Sequence, residues 1–388
     1  MSAPSGIKVA VIGGGVAGAA AALALARTGA EVTVHEAHPD PAGPVGSFLS
    51  LAVNGLRGLE LLGCLEQVRA AGFEVPEQRL WSGGGKPLGT MPRGRLASDD
   101  LHGVTLMRGR LVEVLRAEAE RAGVRIVTGR RLTGHHDHGA GVRAEFADGS
   151  TAEADLLVGA DGLWSATRTL LDPAAPDPAY AGLYNVSGRA EQVAGAPGTF
   201  NMVFGRNGAF AYLPAPDGTV WWSAQPAEPR QPDLAAVPLS EWPERLAETY
   251  AADPVPLALL RAATEVHRPT LMHTLAPVPV WQRGRTVLIG DAAHPVGAGQ
   301  GASMAIEDAV VLAQVVSAGR SLAEYEERRR ARVGRMLKAA AANREAKKAG
   351  PVARRVNDLV MPLFSRYAYT RSTAWLYTHD LGELTPAA

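Results

Sequence analysis

The chain has 388 residues, 46% of them hydrophobic, and its 39 Lys and Arg balance 39 Asp and Glu to a formal net charge of zero. That length suffices for two domains, or for one large domain with an insertion, and the charge balance excludes a whole-chain electrostatic case for nucleic acid or an anionic membrane. Cys64 is the only cysteine, which excludes an internal disulfide, and no stretch is long and apolar enough for a transmembrane helix.

The N-terminus "MSAPSGIKVAVIGGG" lacks a basic segment followed by a separate apolar one and a cleavage site, so the expected location is cytoplasmic. Lys8 to Ile12 reads as a short β-branched strand, Val16 to Arg27 as an alanine-rich helix stopped by Gly29, and Glu31 to Ala37 as a second strand. This is a βαβ unit, and its apolar strand interiors imply a parallel sheet buried on both faces. Between strand and helix, "GGGVAG" matches G-x-G-x-x-G at Gly13, Gly15 and Gly18. The pattern is weak alone but here has the required context. Gly13 allows the tight turn, Gly15 allows a pyrophosphate to approach, and Gly18 allows helix and strand to pack closely, with Val16 and Ala17 at the helix start. Glu36 ends the next strand, where an acid accepts from an adenosine ribose and repels a 2′-phosphate. The motif specifies a dinucleotide and leaves FAD and NAD both open.

Asn54 to Cys64 and Arg110 to Arg121 read as helices, and "VRIVTG" and "DLLVGADG" as further strands. From about Tyr180 to Val266 short aromatic strands alternate with Gly, Pro and Asp turns, as expected of a mostly antiparallel sheet inserted into the α/β unit. There Phe210 and Tyr212 share one strand face by period two, and with Met202 and Trp222 they are candidate walls of an apolar substrate pocket. Arg189 is a candidate partner for an anionic substrate group. His102, His267, His273 and His294 are candidates for a base by residue type alone, and none is singled out. The strand "TVLIGD" then runs into a loop holding Gly297, Gly299 and Gly301, followed by a helix. Glycines ahead of a helix N-terminus suit close approach by an anionic or electron-rich ligand. An NAD site has no need of this second glycine loop, whereas FAD extends beyond its adenosine half. Asp291 is therefore the candidate for the ribityl hydroxyls, and Gly299, Gln300, Gly301 and Ala302 for the flavin edge. From Leu322 onward the chain reads as helical and basic, with the run "RRRAR" at 328–332 expected as a solvated helix face.

A third segment, "DLLVGADGLWSATR" from Asp155 to Arg168, completes an ordered series: the first glycine motif, then Asp161-Gly162, then "GDAAH". Over roughly residues 7–335 this series resembles the class A FAD-dependent aromatic monooxygenases, the family of p-hydroxybenzoate and salicylate hydroxylases. "LMRGRLVEVL" is also similar, and places Arg108 where the family has a flavin-contacting arginine. The loop from His294 to Gly301 is shorter than usual for the family, and Pro295 sits early in it.

The resemblance implies an α/β fold: a Rossmann-like FAD-binding domain over 1–178 and 268–335, an inserted antiparallel substrate domain over 179–267 joined by part of 75–105, and a C-terminal helical segment over 336–388. It implies one non-covalent FAD, NADPH or NADH as co-substrate, and O2. One oxygen atom would pass to an aromatic or polycyclic small molecule through a flavin C4a-hydroperoxide, with the flavin rather than a protein side chain carrying the chemistry. No metal, nucleic acid or membrane partner is expected, and the assembly expected is a monomer or homodimer. A flavin dehydrogenase or reductase on the same scaffold, or a flavoprotein that protects an intermediate with little turnover, are the alternatives.

Overall fold

The computed structural model describes residues 6–39, 47–139, 141–191, 197–297, 299–348 and 350–385. Lys8–Ile12 lies near the middle of a six-stranded sheet ordered Gln282–Arg283, Thr286–Leu288, Leu156–Gly159, Lys8–Ile12, Glu31–His35, Arg125–Val127. All neighbours are parallel except the short hairpin Gln282–Arg283 with Thr286–Leu288. Alternation along Lys8–Ile12 serves two cores, as a strand buried on both faces requires. Val9 and Val11 join the main core with the helices, while Ala10 and Ile12 pack under a three-stranded antiparallel sheet, Leu132–His138, Gly141–Phe146 and Thr151–Ala154. The helix Val16–Arg27 is buried from Val16 to Leu25 apart from Ala17. Its run of alanines lets the helix Gly301–Ser317 pack closely beside it.

The second large sheet has eight strands. Ala179–Ala190, Val220–Pro226, Gly208–Pro214 and Thr199–Gly205 follow one another antiparallel. Thr199–Gly205 then pairs in parallel with Glu77–Ser82, which forms a hairpin with Pro87–Pro92. Thr270–Thr274, past the expected boundary at 267, also pairs with Ala179–Ala190, so the sheet runs beyond that position. The helix Leu322–Lys347 passes through position 335 without a break, and the chain ends in Pro351–Leu363, a π turn at Phe364–Ala368, and Tyr369–Tyr377. The architecture is thus the expected α/β fold with a largely antiparallel second sheet and C-terminal helices.

The run at 328–332 departs from expectation. Arg329 is fully buried, ion-paired to Glu307 at 2.6 Å and Asp308 at 2.7 Å, and Arg332 reaches Glu307 at 2.7 Å. Only part of the run faces water. A sequence of like charges does not reveal carboxylates presented to it by the helix Gly301–Ser317.

Candidate functional site

The first glycine turn is built as its residue types demand. Gly13 has φ +96°, and a Cβ there would lie 2.6 Å from the Ala160 carbonyl oxygen. Gly18 is even more constrained, since a Cβ would lie 1.8 Å from the Gly13 oxygen. Gly15 differs: the nearest atom to its Cβ position is Arg108 Nη2 at 4.0 Å, so space opens there toward a cation at the helix start. Val16 begins the helix, buried. The Glu36 carboxylate accepts the Gly14 amide at 2.7 Å and the His38 amide at 2.8 Å, with Arg116 Nη2 at 3.7 Å. Arg116 also donates from Nε to the Gly14 carbonyl at 2.8 Å, a clamp the sequence did not disclose, because nothing in the helix 110–121 marks that arginine as buried. Gly13, Gly15, Glu36, Arg108, Asp161 and Gly162 line one cleft of about 590 Å³. A smaller recess of about 370 Å³ runs along the face of the parallel sheet beside Thr151–Ala154 and holds none of the candidate residues. Ligands of such sheets bind outside the carboxyl ends of the strands, where the larger cleft lies.

Asp161 has a local structural task. Its carboxylate accepts from the Ser165 hydroxyl, from the Thr167 amide at 2.9 Å and from the Thr167 hydroxyl at 3.0 Å, which caps the helix Ala166–Leu171. Ser165 caps the Arg168 amide at 2.9 Å, and buried Arg168 then donates to the Ala292 carbonyl at 3.1 Å. The Asp-Gly segment is thereby fastened to the Gly-Asp segment. Gly290, with φ +57°, packs against Ala17 of the first helix, which joins the two glycine motifs directly.

Asp291 keeps accessible surface, yet protein surrounds its carboxyl closely enough that loss of water raises its pKa above the usual aspartate value, against the pull of His294 and Arg108. Arg108 thus addresses both halves of the site, Gly15 and Asp291. Gly301 is next to Asp291: a Cβ on it would meet only Asp291 Oδ1, at 3.7 Å. Gly297 and Gly299 have φ +58° and +79° with no atom within 4 Å of the Cβ position. Gln300 is buried and its Oε1 has no partner among the described residues. Ala302 is half-buried in the first turn of the following helix, whose leading amides have no partner within the helix.

Beneath this loop lies a buried polar network. Asp308 accepts the Gly290 amide at 2.9 Å and meets His294 Nε2 at 2.6 Å. Asn54 Nδ2 donates to Glu307 at 2.7 Å. Burial opposes ionisation of Glu307, but Arg329 and Arg332 outweigh it and hold its pKa at about 2. Cys64 lies elsewhere in the main core, its thiol pushed up to about 12 by burial and the Glu118 charge, which leaves it inert as a nucleophile.

The substrate candidates divide between the two faces of the eight-stranded sheet. Phe210, Tyr212 and Trp222 point to one face and pack with Trp242, Tyr250 and Leu259 of the helices Trp242–Thr249 and Pro254–Arg261. Phe210 and Trp222 are 0% exposed. Met202 lies on the opposite face, with Phe200, Leu213 and Trp221, against Phe48, Phe73 and Met107. Arg189 is paired in register with Trp221, its guanidinium 5.1 Å from that ring and 3.4 Å from Glu265. Met107 packs on the Met202 face and immediately precedes Arg108, which lines the cleft. The other histidines have ordinary partners: His102 Glu74 at 2.9 Å, His267 the Ser187 hydroxyl at 3.0 Å, His273 the ring of Trp164.

Comparison with known proteins shows the family. A model of the FAD binding domain family matches residues 6–340. The aurachin C monooxygenase/isomerase of Stigmatella aurantiaca is 31% identical over 321 residues, 81% of each chain. The 6-hydroxynicotinate 3-monooxygenase of Bordetella bronchiseptica is 31% identical over 79% of this chain and 82% of its own. Klebsiella pneumoniae HpxO, solved with FAD and uric acid, superposes with a TM-score of 0.84 at 25% identity, covering 97% of this chain and 98% of that one. By the family match and these relatives, the chain belongs to the FAD binding domain family and is a class A flavin monooxygenase.

Proposed function

We propose that this enzyme uses NADPH or NADH and O2 to insert one oxygen atom into an aromatic or polycyclic small molecule. The observation that carries the reading is the Gly290–Ala17 junction, which joins the two glycine motifs so that one arginine, Arg108, stands by the open Gly15 turn and acts on Asp291. In this reading Gly13, Gly15, Val16, Ala17 and Gly18 cradle the pyrophosphate, and Glu36 addresses the adenosine ribose. Asp291 takes the ribityl hydroxyls, while Arg108 offers its positive charge to the pyrophosphate and the ring system. Asp161 holds its helix in place at the cleft wall. Gln300, with its unpartnered Oε1, and the leading amides from Gly301 to Ser303 meet the ring's polar edge. These groups fit FAD: the glycine positions leave room, the buried amide oxygen lacks a donor, and a helix N-terminus favours negative charge on the reduced ring.

Bound FAD supplies the redox chemistry that joins reduced nicotinamide to O2. The protein's part is to position the substrate and exclude water. Phe200, Met202 and Trp221 offer the substrate an apolar face, with Arg189 beside Trp221 for a polar group. Phe210, Tyr212 and Trp222 support that face from behind. The FAD-binding unit is assigned to 1–178 and 268–335, the substrate unit to 179–267 with strands from 75–105, and the remainder to the C-terminal helices. The named relatives act on aurachin C and 6-hydroxynicotinate, and uric acid occupies the HpxO complex; all are consistent with an aromatic or heteroaromatic substrate.

The test is turnover with an aromatic panel under isotopically labelled O2. One labelled oxygen in the product, with matching nicotinamide oxidation, is the expected result. Anaerobic turnover would instead make the chain a dehydrogenase, and ligand retention without turnover would make it a binding protein.

A further inference from the structure

The face of the eight-stranded sheet that carries Met202 is laid out by its registers. One row across it reads Gln78, Phe200, Leu213, Trp221, Arg189. The next reads Leu80, Met202, Ala211, Ser223, Ser187, and the third Ser82, Phe204, Ala209, Gln225. The middle row is small at Ala211, Ser223 and Ser187, beside Leu213, Trp221 and Arg189 in the first row, so a shallow trough runs along those positions. The outer rows are four residues apart along each strand, about 13 Å, which is room for one or two fused rings.

A cation stands at each side of this trough. Arg93 lies over the Phe200 ring at 3.4 Å, donates to Gln78 Oε1 at 2.6 Å and Ser50 Oγ at 3.5 Å, and leaves its Nε without a partner. Lys347, the last residue of its helix, is 6% exposed and donates from Nζ to Gln225 Oε1 at 2.8 Å. Gln225 leads on to the Ser223 hydroxyl at 3.4 Å, and that hydroxyl to Asn185 at 2.6 Å. Every partner here is neutral. Among the described residues no carboxylate stands within ion-pair distance of either cation. Buried Arg329 and Arg332 have two carboxylates between them. Buried charge is normally paired, so buried Lys347 beside half-buried Arg93, with no counter-charge and next to this trough, asks for an anion from outside the chain.

We infer that Lys347, together with Arg93, is a specificity site for an aromatic ring system carrying an anionic oxygen. The inference deepens the proposed function and rests on its assignment of the Met202 face to the substrate. The electrostatics agree. Burial, then the Arg93 charge, lower the Lys347 pKa to about 8, and burial lowers that of Arg93 to about 10. The titratable groups acting on the pair from outside it are Tyr377 and Tyr369, near Arg93, while Glu345 of the Lys347 helix is taken up by Lys348 at 2.9 Å. An anion bridging the two cations relieves both their repulsion and their lost hydration.

The test is a binding titration followed by tryptophan fluorescence, which Trp221 makes sensitive to this face. Probes are matched pairs: benzoate with benzamide and naphthoate with naphthamide for a carboxylate, p-nitrophenolate with p-nitroanisole for an ionised ring hydroxyl. The charged member of at least one pair is expected to bind about 10- to 150-fold tighter, the range of one charge-assisted hydrogen bond. Lys347→Met should abolish that preference and Lys347→Arg should keep it. The charged probe should also weaken as pH rises through about 8, where Lys347 loses its proton, while its neutral partner does not. That measurement on the unmodified enzyme stands even if a variant fails to fold. No preference for any charged probe, or a preference unchanged in folded Lys347→Met, overturns the inference. If FAD failed to bind while the charge preference held, the flavin assignments would fall and this site would remain.

Discussion

Gly290 and Ala17 touch across the two glycine motifs: a Cβ on Gly290 would come within 2.8 Å of the Ala17 Cβ, at a backbone φ of +57°. Two penalties therefore meet in Gly290→Ala. The left-handed backbone costs about 1–2 kcal/mol for a residue with a Cβ. Overpacking against Ala17 adds about 1–3 kcal/mol. Gly123 is the matched control, since its φ is +90° but no atom lies within 4 Å of its Cβ position. Urea unfolding should give Gly290→Ala a clearly larger loss than Gly123→Ala, and FAD affinity should fall only in the former. Equal losses would mean that the junction has slack.

Glu36 holds the first turn closed as well as facing the cleft. Its two oxygens accept amides from Gly14 and His38. In Glu36→Gln one of those oxygens becomes an NH2 that opposes an N–H donor. The turn must open or leave a buried amide unpaired, at about 1–3 kcal/mol. FAD titration of the apoprotein should show roughly 5- to 150-fold weaker binding. Unchanged affinity would remove Glu36 from the cofactor site.

Acid should attack the network under the loop. Glu307 has its pKa held at about 2 against a usual 4.5. A lowered folded pKa means that the stabilisation is complete above the unfolded value and disappears as pH falls from 4.5 toward 2. The shift corresponds to about 3 kcal/mol. Asp308 is shifted in the same direction, since His294 and Arg329 outweigh its burial. In Glu307→Gln the stability lost over this pH range should shrink by about one proton's worth of slope, and stability at neutral pH should fall by about 3–5 kcal/mol because Arg329 and Arg332 lose a buried counter-charge. Parallel pH curves for variant and wild type would contradict the assignment.

What was legible in the sequence followed from local pattern. The helix Val16–Arg27 has the expected ends because Gly15 and Gly29 bound a run of small apolar residues. Gly13 and Gly18 serve the turn and the close packing that their motif implies. Period two also placed Phe210 and Tyr212 on one face. It could not tell which face packs on the helices and which on Met107, because that depends on how the sheet docks, and Met202 lies on the face opposite Trp222. Arg93, Arg116 and Lys347 carried no signal for the same reason. Their burial is set by partners far along the chain: Phe200 and Gln78 for Arg93, Gly14 for Arg116, Gln225 for Lys347. Asp161 stood out in its motif but not as a cap of Ala166–Leu171, since the donors to its carboxylate follow it by four and six residues.

Gly301 offers a cleaner measure of the flavin assignment than Gly299. Gly299 has φ +79°, so any substitution strains the turn whatever the ligand does. Gly301 is helical, and a Cβ there meets only Asp291 Oδ1, at an ordinary 3.7 Å. For the apoprotein, Gly301→Ala should therefore be neutral or stabilising by up to about 1 kcal/mol, the helix-propensity gain. If the loop backbone must lie against the isoalloxazine, the added methyl occupies the ligand's space. FAD should then bind at least about tenfold more weakly, equivalent to roughly 1.4 kcal/mol. Displacing the helix N-terminus from the ring also withdraws positive potential from the reduced, anionic flavin, and should lower the reduction potential of the loaded variant. Each 1.4 kcal/mol lost from the reduced form is about 30 mV on a two-electron couple. Thermal melts of the apoprotein, FAD titration and redox titration together decide the matter. A stable apoprotein with weakened FAD and a lowered potential assigns Gly301 to the cofactor. Unchanged affinity and potential would assign the glycine to the chain's own turn.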